Sequence, residues 1–491
     1  MNRKTILTFV LALSACVNIY ADDFGTWFYN KTMRFDYYHA GSATTEYLFF
    51  DEIIEEPYYA GSKTNLIDDF GYGNYRFSLY DKASGKLIYR RGYDNLMKEW
   101  RTIPEAEIFS KAMPESIVFP YPRKEVKLVI EARDRRNVFH ELYTYDIDPE
   151  SYFIRKSQPS LQTMEIAYQG NSDHCVDLVL IPEGYTEADK ALFEEDCHKF
   201  AEYLFSYAPY GDNKGRFNVR AVWAPSQDAG VSIPGENVWR NTACKVQYYT
   251  FDSERYQMTM DMQNLRDIAG NAPYEYIYII SNSQKYGGGA IYNWYGISAA
   301  HIFSRPESVR KTYAHEFGHL LLGLGDEYVG GSETALYDLD VEPWEANLTI
   351  LPGGKAKWQD MIERKTPVPT PIAKDYDRDQ VHQMSEWKLG AYEGGGYLDK
   401  GIYRPMPNCM MNWMHTQDEF CPVCDKSIRE YIDFLTGGLE ENNSHESQIN
   451  HHPGRPHSRM LCCRLWHRQD DQGFEGGGSG GPWKIHRSQL R

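Results

Sequence analysis

The segment of residues 304–328 constrains the fold most strongly, because its sequence marks both ends of one helix. Ser304 and Glu307 have the spacing of a capping box, which predicts that a helix begins there. The helix is predicted to continue through the run YAHEFGHLLL. Gly323 and Gly325 follow this run and predict where the helix stops, since glycine accepts the left-handed backbone geometry of a helix end.

Two histidines lie four residues apart on this predicted helix, so their side chains project from one face. The imidazoles of His315 and His319 can therefore bind the same zinc ion. Glu316 follows the first histidine and can contact a water molecule beside the metal without binding the metal itself. The pattern predicts a catalytic site in which Glu316 takes a proton from water and later delivers it to a leaving amine.

A catalytic zinc site keeps three protein ligands and one open position, so a third ligand is required. Asp326 is predicted to be that ligand, because a helix that ends at Gly323 lets the chain turn back toward the histidines. Glu327 is the alternative. A helix that continued past Gly325 would keep both carboxylates away, and the third ligand would then come from a distant segment. Tyr328 is a candidate hydrogen-bond donor to the oxyanion of a tetrahedral intermediate, or else a packed aromatic residue.

The N-terminus has the charge and hydropathy pattern of a bacterial signal peptide. A positively charged start precedes a short apolar run at residues 6–16. We interpret residues 1–21 as a cleaved signal peptide. The alternative is a lipobox, which would leave Cys16 acylated as a lipid anchor. Both interpretations predict an exported protein that is periplasmic, attached to the cell surface or secreted.

Export in turn predicts disulfides, because they form and persist in oxidising compartments. The main body of the chain contains an even set of six cysteines: Cys175, Cys197, Cys244, Cys409, Cys421 and Cys424. This set predicts a disulfide framework with the pairing left open. The spacing of Cys421 and Cys424 also fits half a zinc knuckle or a redox pair. However, no second such pair lies at zinc-finger spacing, and no thioredoxin-like unit surrounds it.

The length of 491 residues predicts two folded domains. Short aromatic and β-branched runs separated by turn signals predict an antiparallel β-sandwich at residues 22–157. Residues 158–436 alternate buried strands with helices, as at 176–182 and 187–205, and predict an α/β domain with a mixed sheet. Residues 437–491 have no sustained periodicity and are predicted to form a disordered tail.

The acidic composition argues against one class of partner. The formal net charge is −17, whereas contacts to nucleic acid phosphates need clustered lysine and arginine. No stretch in the body of the chain reaches the roughly 18 apolar residues of a membrane-spanning helix. We therefore expect neither nucleic acid binding nor a transmembrane span.

The sequence HEFGHLLLGLGDEY, followed downstream by CMMNW at residues 409–413, resembles the IgA-peptidase family of zinc metallopeptidases, which are relatives of the metzincins. The resemblance covers residues 173–437. It extends to the N-terminal part, where KTMRFDYYH at residues 31–39 is similar to the start of that family's β accessory domain. The resemblance implies a metzincin-like peptidase domain with a twisted mixed sheet and an active-site helix.

Two further expectations depend on the similarity to metzincins, and one spacing departs from it. Met411, or alternatively Met410, is expected to form the methionine turn beneath the metal. The glycine-rich residues 286–292 are expected to be an edge segment that pairs with an extended substrate, or else a flexible loop. The spacing of the third ligand departs from the metzincin pattern, since Asp326 lies seven residues beyond the second histidine and that pattern has six.

The function expected from these features is that of a zinc endopeptidase that acts on a protein or glycoprotein. A zinc amidase acting on cell-wall peptides would use the same ligands. A non-catalytic extracellular binding protein with a structural metal is the alternative of a different class. Glu316 argues against it, because a structural site needs no base beside its first ligand, whereas a fourth protein ligand would support it.

Overall fold

The N-terminal part of the chain folds into two four-stranded sheets, and the second part into a six-stranded mixed sheet with helices.

The computed structural model describes residues 24–302, 306–330, 337–372, 387–412 and 419–437. The predicted signal peptide, Cys16, Ser304 and the predicted tail from residue 438 onward lie outside these residues.

The strands of the first N-terminal sheet are β1 (Phe28–Gly41), β2 (Glu46–Glu56), β5 (Lys111–Pro122) and β8 (Arg155–Lys156). Those of the second are β3 (Tyr75–Asp81), β4 (Leu87–Tyr93), β6 (Val126–Arg133) and β7 (Phe139–Ile147). The strand orders are β5-β1-β2-β8 and β4-β3-β6-β7. Three short helices accompany these strands: α1 (Phe24–Trp27), α2 (Leu96–Trp100) and α3 (Glu105–Ile108).

The two N-terminal sheets bury their aromatic side chains against each other. The ring of Phe35 in β1 lies 5.3 Å from that of Tyr145 in β7, and Phe77 in β3 lies 6.1 Å from Phe119 in β5. All strand pairs are antiparallel except β2 and the short β8, which run parallel. The predicted N-terminal β structure is confirmed, with this parallel edge pair as the difference.

The second part of the chain is built on a six-stranded mixed sheet. Its strands are β9 (Gln162–Ala167), β10 (Val176–Glu183), β11 (Phe217–Trp223), β12 (Tyr276–Ser281), β13 (Gly288–Ile291) and β14 (Tyr295–Ala299), in the order β13-β14-β12-β10-β11-β9. The four inner strands are parallel, and the edge strands β9 and β13 are antiparallel to their neighbours. The predicted mixed sheet is therefore present.

Helices and a small hairpin complete the described part of this region. They are α4 (Lys190–Leu204), α5 (Met262–Ala269), α6 (Pro306–Leu322), α7 (Pro422–Leu435) and the hairpin of β15 (Tyr392–Gly395) and β16 (Leu398–Arg404). No helix within the described ranges is long and apolar enough to cross a membrane.

The mixed sheet is buried on both faces, because successive side chains of a strand point to opposite sides. In β10, Leu178 and Leu180 belong to a core that they share with α4, α6 and α7. Val179 and Ile181 belong to a second core, which they share with the two N-terminal sheets. The domain boundary at residues 157–158 stays a prediction, and the parts on either side of it share this second core.

The disulfide framework predicted from the cysteines is wrong. All six cysteines of the predicted set are buried free thiols. The sulfur atoms of Cys409 and Cys424 lie 3.8 Å apart, well beyond the roughly 2.05 Å of a disulfide bond. An even number of cysteines predicts pairing only where the fold brings two sulfur atoms into bonding distance.

A buried arginine links the N-terminal sheets to α5. The guanidinium of Arg34 donates two hydrogen bonds to Asp36, at 2.7 and 2.6 Å, and one to Asp267 of α5, at 2.7 Å. It also lies 3.8 Å from the buried carboxylate of Glu56. Because Arg34 and Asp36 are both at least 98% buried, removal of the guanidinium would leave the Asp36 carboxylate without its cation.

We expect Arg34→Met to lower the free energy of unfolding by about 3–5 kcal/mol, because it breaks a buried ion pair from one side. Arg155→Met is the matched control, since Arg155 pairs with Glu52 on the surface, where the side chains are 49% and 39% exposed. Its expected cost is about 0–1 kcal/mol. Chemical denaturation followed by tryptophan fluorescence compares the two, and equal losses would contradict the structural role of Arg34.

Candidate metal centre

Helix α6 ends in a glycine turn that reverses the chain. Gly323 has a φ of +66° and donates its backbone N–H to the carbonyl of His319 at 2.9 Å. A Cβ atom at Gly323 would lie 2.5 Å from the ring of Trp344, so a larger residue would be strained there for two reasons. The predicted stop at Gly323 is therefore where α6 ends, and the residues that follow turn back toward its last turn.

Three potential ligand atoms meet beside this turn. His315 Nε2 and His319 Nε2 lie 3.1 Å apart, and Oδ1 of Asp326 lies 3.2 Å from the first and 3.3 Å from the second. Ligand atoms about 2.0–2.1 Å from a tetrahedral metal are separated from one another by about 3.3–3.4 Å. The three side chains therefore fit a single divalent cation in their present positions.

Both histidines are oriented by backbone carbonyls. Nδ1 of His315 donates to the carbonyl of Met410 at 3.0 Å, and Nδ1 of His319 donates to that of Leu324 at 2.5 Å. A carbonyl accepts and never donates, so in each neutral imidazole the lone pair is on Nε2. This is the usual arrangement for histidines that bind a metal through Nε2.

The two oxygens of Asp326 face different groups. Oδ1 is buried and faces Nε2 of both histidines, at 3.2 and 3.3 Å, whereas Oδ2 accepts a hydrogen bond from the hydroxyl of Tyr397 at 2.5 Å. Burial alone would raise the pKa of Asp326, but the charge of His319 outweighs it and holds this pKa well below its usual range. Asp326 is thus an ionised carboxylate with Oδ1 directed at the two imidazoles, which suits a cation bound by all three side chains.

The Asp326 carboxylate also shifts the pKa of His319. Burial would lower its pKa, but the adjacent Asp326 carboxylate more than compensates and raises it to about 9. In the metal-free protein a proton therefore occupies this histidine at neutral pH. A metal ion has to displace that proton, because it binds the neutral ring.

Glu316 is buried beside the histidines and faces the edge of the mixed sheet. Burial raises its pKa above the ordinary value. A Cβ atom on Gly288 would lie 3.4 Å from Oε1 of Glu316, so the carboxylate is adjacent to strand β13. The predicted edge segment at residues 286–292 contains β13, which is an edge strand of this sheet.

The remaining predicted residues lie near the three ligand atoms without joining them. The sulfur of Met411 would be 3.1 Å from a Cβ on Gly318, so it packs against α6 between the two histidines. Tyr328 packs edge-on against Tyr397, with ring centroids 5.3 Å apart. Glu327, the alternative third ligand, is bonded instead to Asn347 at 2.9 Å.

Two residues at the site have no counterpart among the residues singled out from the sequence. Tyr397 bonds to Asp326 from 71 positions away, and Asn347 bonds both backbone groups of Gly325 at 2.8 Å each. The three glycines before Tyr397, all with positive φ, are a turn signal that marks its segment as unusual. Nothing in the local sequence distinguishes Asn347 from other asparagines.

Family models match most of the chain. One described as IgA Peptidase M64 matches residues 164–388 and 380–432, and one described as Peptidase M64 N-terminus matches residues 23–144. No curated protein matches the chain significantly. The two models match in the same order along the chain as the predicted accessory and peptidase parts.

In the metal-free protein, we expect His319 to titrate near pH 9, and Asp326→Asn to lower its pKa because the raising charge is lost. The pKa of His319 is raised from 6.5 in the unfolded chain to about 9 in the folded protein. The charged pair therefore contributes its full stabilisation of the metal-free fold below pH 6.5, and this contribution is lost as the pH rises through about 9. NMR titration of labelled histidines measures this, and addition of Zn²⁺ should abolish the titration. An unchanged pKa in Asp326→Asn would contradict the assigned cause.

We expect Tyr397→Phe to weaken metal binding by roughly 10- to 100-fold, because the hydroxyl orients the Asp326 carboxylate. Tyr403→Phe, in strand β16 of the same hairpin, is the control and should bind as the parent does. Competition with a chelator measures both affinities. Equal affinity of Tyr397→Phe and the parent would show that this hydrogen bond does not support the ligand.

Proposed function

Since this chain belongs to the IgA peptidase M64 family, and is therefore a metallopeptidase that hydrolyses peptide bonds in protein substrates, we propose that it is an exported zinc endopeptidase. The family membership confirms the resemblance drawn from the sequence around the two histidines. Zinc as the metal, Glu316 as the base and export are the parts that belong to the proposal.

One observation carries the proposal. The side chains of His315, His319 and Asp326 present three ligand atoms at mutual distances of 3.1–3.3 Å, and Glu316 is buried next to them. Three protein ligands leave a tetrahedral ion one open position, which is the arrangement of catalytic zinc sites. Imidazole and carboxylate ligands at these distances also suit zinc better than the larger, oxygen-preferring calcium ion.

Zinc at this site would supply Lewis-acid chemistry, polarising the scissile carbonyl and making water acidic enough to attack near neutral pH. Glu316 supplies the proton acceptor. Its burial raises its pKa, which brings the carboxylate closer to the pKa that suits a base working near neutral pH. The same carboxyl group then returns the proton to the leaving amine nitrogen.

The edge strand supports an extended binding mode for the substrate. Strand β13 pairs with β14 on one side, and on its other side the N–H of Gly288 donates to the carbonyl of Arg255 at 3.4 Å. A further strand would therefore pair with β13 beyond Gly288, at residues 289–291. A Cβ atom at Gly288 would lie 3.4 Å from Oε1 of Glu316, so the absence of a side chain there keeps this carboxylate uncrowded. We propose that a substrate segment pairs with β13 and presents its scissile bond to Glu316 and the metal.

Two metzincin-like roles complete the proposal. Met411 is proposed as the methionine-turn residue, supported by the packing of its sulfur against α6 at Gly318. Tyr328 is proposed as a donor to the oxyanion, supported by its packing against Tyr397, which itself bonds to Asp326. Asp326, seven residues beyond His319, would then take the place of the third ligand, which lies six residues beyond the second histidine in metzincins.

The cellular setting of the proposal comes from the sequence. Residues 1–21 are proposed to direct export to the periplasm, the cell surface or the medium. In the alternative, the mature chain begins at Cys16, which carries a lipid anchor. A protein or glycoprotein is the proposed substrate, and the acidic charge argues against a nucleic acid partner. An amidase acting on cell-wall peptides is the competing activity.

We expect Glu316→Gln to retain zinc and lose about 10²- to 10⁴-fold in kcat on an unfolded protein substrate, because it removes only the base. Glu165→Gln is the control, since Glu165 is exposed on β9 at the opposite edge of the same sheet and should behave as the parent. Zinc content and hydrolysis are measured on the same samples.

The outcomes separate the candidates. Equal rates of hydrolysis by the parent and Glu316→Gln would contradict the role of Glu316 as the base. Hydrolysis of a soluble cell-wall peptide but not of unfolded protein would favour the amidase. Hydrolysis of protein that disappears with the metal and with Glu316 supports the endopeptidase.

A further inference from the structure

Glu327 belongs to a second cluster of potential metal ligands, next to the first in sequence but separate from it. Its carboxylate and the thiols of Cys409, Cys421 and Cys424 lie within 4.8 Å of one another. All four side chains are fully buried. They come from three segments: the turn after α6, the residues before Met410, and the start of α7.

Three of the distances within this cluster are close to those between ligands of one metal ion. The sulfur atoms of Cys409 and Cys424 are 3.8 Å apart, and Oε1 of Glu327 lies 3.3 Å from the sulfur of Cys424 and 3.9 Å from that of Cys421. Bonds of about 2.3 Å to sulfur and about 2.0–2.2 Å to oxygen around a tetrahedral zinc place two sulfurs about 3.8 Å apart, and a sulfur and an oxygen about 3.5 Å apart.

The carboxylate provides a second observation. Oε1 of Glu327 accepts hydrogen bonds from Asn347 at 2.9 Å and from the thiol of Cys424 at 3.3 Å, whereas Oε2 is buried and accepts none among the residues that the structure describes. A buried carboxylate with an unpartnered oxygen is costly, and a cation bound to that carboxylate in place of the thiol protons would offset the cost. The backbone N–H of Cys421 also donates to the sulfur of Cys409 at 3.3 Å, which holds Cys409 beside the start of α7.

We propose that Cys409, Cys421, Cys424 and Glu327 form a second, structural zinc site. Thiolates are soft ligands that favour zinc over magnesium or calcium. Four protein ligands close a tetrahedral coordination sphere and leave no open position, which is the arrangement of structural rather than catalytic sites. The site also explains why these three buried cysteines are together without forming a disulfide.

The second site would hold the two segments on which the first depends. Glu327 directly follows Asp326, and its backbone N–H donates to the carbonyl of Met411 at 2.7 Å. Cys409 directly precedes Met410, whose carbonyl orients His315. A cation bound to Cys409 and Glu327 therefore fixes both segments to the N-terminus of α7. These four residues are positioning residues for the first site, not catalytic ones.

Cobalt substitution of the full chain tests the second site apart from the first. Thiolate ligands give Co²⁺ a sulfur-to-metal charge-transfer absorption in the near ultraviolet, and imidazole and carboxylate ligands do not. We expect the metal-free parent to bind two Co²⁺ ions and to show this absorption. A parent chain that saturates at one Co²⁺ ion without the absorption would overturn the proposal.

Matched variants assign the absorption. Cys424→Ser should bind one Co²⁺ ion and lack the absorption, whereas His319→Ala should bind one Co²⁺ ion and keep it. Cys175→Ser, at a buried cysteine outside the cluster, should match the parent in both respects. Loss of the absorption in His319→Ala would overturn the assignment to the thiols.

A disulfide is the competing state of the same sulfur atoms, and thiol mapping on the parent chain distinguishes it without any variant. We expect alkylation of the denatured, metal-free and unreduced protein to label Cys409, Cys421 and Cys424. Peptides cross-linked between two of them would overturn the proposal. Failure of the proposed function would be distinguishable from failure of this proposal. If Glu316→Gln hydrolyses protein as fast as the parent, the proposed function is contradicted, but the cobalt absorption of the second site is still expected.

Discussion

The reversal of the chain at Gly323 is the constraint on which the site depends. It ends α6 one turn after the second histidine and directs the carbonyl of Leu324 onto His319. Asp326 then reaches both imidazoles, while the next residue, Glu327, points to the cysteines. Because Trp344 fills the space beside Gly323, only a residue without a side chain permits this path. Two neighbouring carboxylates thus serve two different clusters.

The mixed sheet holds this turn in place and needs both of its faces covered. One face of β10 packs toward α4, α6 and α7, and the other belongs to a core that α5 and the N-terminal sheets complete. A catalytic part without the N-terminal β part would lose the packing of β5 against α5 and the stacking of Tyr93 in β4 on Trp294, whose ring centroids are 5.6 Å apart. The N-terminal part is therefore a structural component of the peptidase, whatever it also binds.

The sequence predicted the features that depend on neighbours along the chain. The two histidines, Glu316 and the stop at Gly323 lie within one helix and its end, where periodicity and glycine chemistry are informative. It did not predict Tyr397 or Asn347, because these contacts join segments that no local pattern relates. The disulfide prediction failed for the same reason: counting cysteines says nothing about whether two sulfur atoms meet, and here three gather around Glu327.

The buried guanidinium of Arg34 has a consequence for the kinetics of folding. It joins residues that lie 233 positions apart, and this long loop has to close before the ion pair can form. The ion-pair cluster in the N-terminal sheets is therefore complete only when helix α5, which is synthesised much later, has arrived. We expect folding to be slow and to end in one late cooperative step, so that a partly synthesised chain holds no assembled peptidase.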